Sequence, residues 1–243
     1  MSEVRQTEHG RKVAAMFGRI AGWYDFLNHF LSLGQDCYWR YRLARLVKPL
    51  KNGLILDLAA GTLDVSVELL RQYPDCRVLA MDFTYQMLHC GKRKKLDGKH
   101  EPVRGKHIAA VQADGKIIPL PDNCLDGATI SFGIRNILPR AEVYKEILRT
   151  LKPGARFCIL EFGSGKKRIW KGVYNFYLNR VLPFIGKIIS GDSGAYTYLA
   201  DTIKAFPDER TLGEELRKAG FSRVMFIPLL SGIVYIHVAE KAE

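Results

Sequence analysis

The sequence lacks several features that would otherwise decide its class. Its five cysteines, Cys37, Cys76, Cys90, Cys124 and Cys158, form no C-x-x-C pair and lie in or beside apolar or helical stretches. That excludes a disulfide framework and points to reduced thiols in a cytosolic protein with no metal site. No apolar run approaches the roughly 20 residues of a membrane span, so any membrane contact is expected to be peripheral. The opening residues, MSEVRQTEHGRK, carry no apolar core of a secretory signal. No internal repeat or low-complexity segment occurs. Acidic residues are scarce too, 25 against 37 lysines and arginines, for a formal net charge of +12. The excess favours a nucleic acid, an anionic membrane or an acidic small molecule as partner.

What is present suffices for a full core: 243 residues, 47% of them hydrophobic, the length of one larger α/β domain. After a polar tail to about Lys12, VAAMFGRIAGWYDFLNHFLSLG repeats apolar residues at three and four, broken at Gly22 and Gly34. It predicts two short helices, with a third from Cys37 to Val47 stopped by Pro49. Five apolar runs follow, LILDLA, RVLAMD, IAAVQAD, DGATISFG and RFCILEFG, separated by helical patterns at 65–72, 85–94 and 140–151. Such alternation means βαβ units and a parallel sheet buried on both faces. Near the end, TLGEELRKAGF reads as a helix with a capping box at Thr211 and Glu214 and a stop at Gly220. The two strands after it, RVMFIP and GIVYIHVAEK, have hairpin spacing and imply an antiparallel edge.

The chemistry concentrates at ILDLAAGTLD, residues 55–64. Asp57 and Gly61 fall at the end of the first strand, and Asp82 ends the second, twenty-one positions after Gly61. An acid there suits both hydroxyls of an adenosyl ribose. With one glycine, and Thr62, Leu63 and Asp64 where a phosphate cradle would need more, the loop argues against a dinucleotide. Asp64, opening the helix, would repel phosphate and complement a cation, which fits S-adenosylmethionine better than NAD. Asp114, after the third strand, suits the adenine amino group, and Ser131 and Gly133 end the fourth. Singly, Asp57 and Asp64 also suit turn or N-cap roles and Asp82 a strand end; their joint placement favours the cofactor reading.

Two longer stretches carry a resemblance. YDFLNHFLSLGQDCYW, Tyr24 to Trp39, and RTLKPGARFCILEFGS, Arg149 to Ser164, are similar to the two signatures of the ubiquinone/menaquinone biosynthesis C-methyltransferases, within the class I methyltransferases. The departures are Leu27 for a usual methionine, Thr150 and Ala155. TISFGIRNI and the ending AYTYLADTIKAFPDERTL…AGF…GIVYIHVAEK also look like that family, so the resemblance covers nearly the whole chain.

The resemblance implies a Rossmann-like α/β fold with a mostly parallel seven-stranded sheet, an antiparallel edge strand and helices on both faces. Within a single domain, residues 1–50 would be a helical lid, 51–165 the cofactor-binding core, 166–207 a helical insertion and 208–243 a C-terminal helix and hairpin. It implies contact with S-adenosylmethionine at Thr62, Asp82, Asp114, Gly115 and Ser131, with Gly61 shaping the loop. Leu63 stands where the family usually has glycine, and its side chain is expected to crowd the methionine moiety or displace the loop.

The implied reaction methylates a ring carbon of a polyprenylated quinol, demethylmenaquinol and/or a methoxy-benzoquinol, and needs no metal. Arg135 is assigned to a developing phenolate and Asn136 to ring orientation, with a loop ion pair as the plainer role for Arg135. Tyr24 and Asp25 look like a substrate-side lid pair; His29 is a candidate proton acceptor by its pKa class alone, with a structural role the commoner one for a lone histidine, and His237 is read as structural. Lys166, Lys167, Arg168 and Lys171 around Trp170 suit a membrane interface, although an amphipathic helix on the sheet would look the same. A cytoplasmic enzyme, peripheral on the inner face of the membrane, follows; a homodimer stays open. The competing readings are an RNA or other small-molecule methyltransferase, which +12 favours and the lack of a base-amine motif or RNA-binding module disfavours, and a non-catalytic S-adenosylmethionine-binding relative on account of Leu63.

Overall fold

The computed structural model describes residues 3–95, 107–163, 198 and 201–243. Three helices come first: α1 (Glu3–Ile20), α2 (Tyr24–Leu31) and α3 (Gln35–Val47). The stretch expected to be a polar tail is therefore the start of α1. Glu8 and Lys12 pair across one turn at 2.7 Å, the arrangement that supports helix in a polar sequence. Lys48, in the left-handed conformation at φ +49, ends α3 just ahead of Pro49.

Seven strands make one sheet: β1 (Leu54–Leu58), β2 (Arg77–Asp82), β3 (Ile108–Gln112), β4 (Leu125–Ser131), β5 (Leu151–Phe162), β6 (Arg223–Leu229) and β7 (Val234–Glu240). Between them lie α4 (Asp64–Gln72), α5 (Tyr85–Lys95), α6 (Arg140–Thr150) and α7 (Glu209–Lys218). The order across the sheet is β3-β2-β1-β4-β5-β7-β6. β1 to β5 pair in parallel, and β7 runs antiparallel to both neighbours, between β5 and β6. The hairpin expected at the chain end is present, with its antiparallel strand one place in from the edge.

Alternation along β1 explains why the runs read as continuous apolar: Ile55 faces one cluster with Leu43, Leu69 and Val78, while Leu56 and Leu58 face another with Val143, Ile147 and Leu216. α3 and α4 thus cover one face and α6 and α7 the other. Each such side chain, withdrawn fully from water, is worth about 1.5–3 kcal/mol. α7 starts three residues before the expected box: Asp208 is its N-cap, accepting the Thr211 N–H at 2.9 Å. A carboxylate also complements the helix dipole there, which a threonine hydroxyl does not. β1 lies between β2 on one side and β4 on the other, where the winding reverses, and the crevice at these carboxyl ends is the ligand position of such sheets.

Candidate active site

After Leu58 the backbone enters the left-handed region three times, at Ala59 (φ +52), Gly61 (φ +53) and Leu63 (φ +69). Only Gly61 does so without the roughly 1–2 kcal/mol that a Cβ adds. Asp82 pins this turn: its Oδ2 accepts the Gly61 N–H at 2.8 Å, and its Oδ1 accepts the Thr84 N–H at 2.7 Å. One carboxylate at the end of β2 joins two loops. Each oxygen keeps acceptor capacity for a ligand hydroxyl. Burial raises the Asp82 pKa above the ordinary carboxylate value, against the backbone N–H groups that favour its charge.

Leu63 turns away from this crevice. Its side chain is 0% exposed, packed in the cluster under α3 and α4. The expected crowding of a cofactor by Leu63 is therefore corrected: the residue strains the backbone and fills the core. Asp64 is corrected as well. It faces Arg40 at 3.3 Å, and Arg40 also pairs with Asp36 at 2.9 Å, so its charge is already matched by a buried guanidinium.

A cleft enclosing about 1030 Å³, open solvent at its mouth included, runs along the strand ends. Gly61, Asp82, Asp114, Gly115 and Ser131 line it, as do Phe83, Met87 and Phe132. α1 closes it with His9, Val13 and Phe17, and Tyr24 and Asn136 complete the wall. Phe132 holds a further left-handed conformation, φ +54. Two strained residues, Ala59 and Phe132, thus line the cleft.

Four expected site residues stand behind the wall. Asp57 accepts from Ser66 Oγ at 2.6 Å and Thr129 Oγ1 at 3.0 Å, and burial raises its pKa to about 6. It fixes the end of β1 to α4 and β4 and does not line the cleft. Thr62, 2% exposed, donates its hydroxyl to Asp25, which also pairs with Lys94 at 3.5 Å. Asp25 therefore clamps α2 to the loop. Arg135 is tied to Glu161 at 2.5 Å, both nearly fully buried, with its guanidinium over the Phe162 ring at 5.5 Å. The plainer reading of Arg135 as an ion pair describes its geometry. Arg135 Nε and Glu161 Oε2 have no hydrogen-bond partner, and burial pushes the Glu161 carboxyl up.

Of the residues expected on the substrate side, Tyr24 and Asn136 line the cleft. Burial raises the Tyr24 phenol against the opposing effects of Asn28, Arg135 and Arg40, so Tyr24 is a donor rather than a base near neutrality. Tyr198 donates its O–H to Asn136 Oδ1 at 3.1 Å, which leaves the Asn136 amide N–H2 to other partners. Tyr198, Glu161, Arg40 and Asp36 were not singled out by motif; they act through pairings 26 to 62 positions apart or through burial. His29 bonds Asp36 at 2.5 Å and His237 bonds the Glu209 carbonyl at 2.8 Å, and neither lines the cleft. The five cysteines are free. Lys166, Lys167, Arg168, Trp170 and Lys171 lie outside the described residues.

The model of the ubiE/COQ5 methyltransferase family matches residues 4–241. The chain belongs to this family. It is 40% identical over 98% of its length, and 91% of the relative's, to "Ubiquinone/menaquinone biosynthesis C-methyltransferase UbiE" of Geobacter sulfurreducens. It is 39% identical over 93% of its length, and 100% of the relative's, to "Demethylmenaquinone methyltransferase" of Thermus thermophilus. Among solved structures, a SAM-dependent methyltransferase from Aquifex aeolicus superposes with a TM-score of 0.58 at 18% identity, covering 83% of this chain and 88% of that one, a likeness of fold. The family member described here is an S-adenosylmethionine-dependent methyltransferase. Its cleft fits that cofactor: Asp82 has acceptor capacity to spare, and the wall offers carboxylates and aromatic rings without a multi-glycine phosphate cradle.

Proposed function

We propose that the enzyme methylates a ring carbon of a lipid-tailed quinol, demethylmenaquinol and/or a methoxy-benzoquinol, in menaquinone/ubiquinone biosynthesis. The cofactor would lie against Gly61, Asp82, Asp114, Gly115 and Ser131, with Asp57 and Thr62 supporting the loop from behind. Residues 1–50 act as a lid. The observation that carries the reading is one cleft lined both by the Asp82 and Asp114 carboxylates and by Tyr24 and Asn136 with the aromatic side chains Phe17, Phe83 and Phe132.

S-adenosylmethionine, when bound, supplies an electrophilic methyl group. A ring carbon becomes nucleophilic enough to take it when an adjacent hydroxyl loses its proton, so the substrate is the reduced ring. Asn136 N–H2 and Tyr24 O–H are the donors that face the resulting oxyanion, and a preorganised donor of this kind is worth about 3–4 kcal/mol of barrier. Arg135 is a positioning residue: held by Glu161, it fixes the turn that presents Asn136. α1 and the aromatic wall keep water from the reacting atoms.

The relatives' names, one of ubiquinone/menaquinone biosynthesis and the other of a demethylmenaquinone methyltransferase, support the substrate class. Among the described residues no helix is long and apolar enough to cross a membrane, and a peripheral position at the cytoplasmic face is part of the proposal. The test is an anaerobic assay of label transfer from S-adenosylmethionine to each quinol and to its oxidised quinone. Turnover of a reduced ring alone is expected; methylation of RNA with no quinol turnover would replace the proposal.

A further inference from the structure

α2 is apolar on two sides. Leu27 is buried in the lid's own cluster and Tyr24 faces the cleft, which accounts for the inner side. Nothing in the core accounts for the outer one. Trp23, Phe26, Phe30 and Leu33 are 54%, 51%, 48% and 87% exposed. Spaced at three, four and three, they form one stripe along the helix and the turn after it. Trp23 meets Phe26 edge to face at 6.5 Å, and Phe26 stacks on Phe30 at 5.9 Å, so the rings form a continuous ridge.

A ridge of exposed aromatic side chains marks an interaction surface, and the charge around it selects the partner. On the first turns of α3, which follows the turn after Leu33, Arg42 lies over the exposed Tyr38 ring at 5.7 Å. Lys94 bonds the Gly22 carbonyl beside Trp23. The nearest acids are engaged already, Asp25 by Thr62 and Lys94 and Asp36 by Arg40, His29 and Ser32. With +12 on the whole chain, a second copy would bring like charge to this ridge. An anionic bilayer brings the opposite charge and an interface that favours tryptophan and other rings.

We infer that the outer stripe of α2, Trp23, Phe26, Phe30 and Leu33, inserts into the headgroup region of an anionic membrane. This deepens the proposed function and rests on it, because α2 then stands between the bilayer and the cleft, with Tyr24 on the inner side. A lipid-tailed quinol reaches the cleft without its tail crossing water.

The test uses the full chain and vesicles of phosphatidylcholine with about 30 mol% phosphatidylglycerol, an anionic surface of the required kind. F26Q/F30Q should bind these vesicles at least about tenfold more weakly, since two of the inserting apolar side chains are gone, with circular dichroism unchanged. In W170F, brominated lipids should quench the fluorescence of Trp23; in W23F/W170F, which keeps only the buried Trp39, they should not. Equal quenching of W23F/W170F and W170F, or full vesicle affinity in F26Q/F30Q, overturns the inference. A parent dimer that F26Q/F30Q converts to monomer with vesicle binding intact also overturns it and gives the ridge to a second copy. Vesicle binding needs no turnover, so the result stands apart from the assay of a short-tailed soluble quinol, whose methylation F26Q/F30Q should retain.

Discussion

Replacing Leu63 sets two effects in opposition at one residue. The position is left-handed, φ +69, so glycine relieves about 1–2 kcal/mol of backbone strain and returns about 0.5–1 kcal/mol through its greater unfolded-state freedom. The side chain is 0% exposed within the core under α3 and α4, and removing a buried leucine costs about 2–5 kcal/mol. Burial wins, and Leu63→Gly should be less stable than the parent by about 2–4 kcal/mol. For a chain of this size that lowers Tm by very roughly 4–16 °C. Leu63→Ala keeps the strain and forfeits the same packing, so the usual order reverses and the glycine variant should be the more stable of the two. Because the side chain points away from the cleft, both should bind S-adenosylmethionine within about threefold of the parent, under 1 kcal/mol. Scanning calorimetry and titration calorimetry on the three proteins read these values. A glycine variant more stable than the parent, or one that binds the cofactor tenfold tighter, would refute the reasoning.

Asp82→Asn should weaken cofactor binding by about 100-fold, because an amide N–H2 must then face one of the two backbone N–H groups that now donate to the carboxylate, and a buried N–H left without an acceptor costs about 1–3 kcal/mol. Titration calorimetry measures it, and near-parental affinity would remove Asp82 from the site. Glu161→Gln leaves the buried Arg135 without its counter-charge and should cost about 3–5 kcal/mol of stability, with kcat falling while cofactor affinity holds. Replacing both by apolar residues, R135M/E161L, should restore stability without restoring kcat, and recovery of both would contradict a positioning role. Asp57 has its folded-state pKa raised by burial to about 6 from 3.8. The folded state therefore binds its proton more tightly, and its contribution to stability is full below about pH 4 and disappears as the pH rises through 6. Relative to Asp57→Asn, the parent should lose on the order of 3 kcal/mol across that window; a pH-independent difference in urea unfolding would sink the assignment.

The sheet was legible because each strand is buried on both faces and so reads as an apolar run: Ile55 and Leu56 face opposite clusters, and both had to be hydrophobic. The crevice followed from the order of elements, and Gly61 and Asp82, paired by their spacing, prove to share a hydrogen bond. Local pattern says nothing of which way a side chain turns within a loop, and there expectation and structure part. Leu63 and Asp64 follow closely on Gly61 in sequence, yet one enters the core and the other meets Arg40 from α3. Asp25 and Thr62 carry no mutual signal at a separation of 37. The polar start of α1 hid a helix, since its face toward the cleft, with His9, Val13 and Phe17, has too few apolar residues to stand out.

The most direct test of the account is the fate of a deuterated methyl group. Under anaerobic conditions, with labelled S-adenosylmethionine and reduced demethylmenaquinol or a methoxy-benzoquinol, the intact labelled methyl should appear on a ring carbon next to a hydroxyl in the product. Label on oxygen, or no labelled quinol from either substrate, would contradict it.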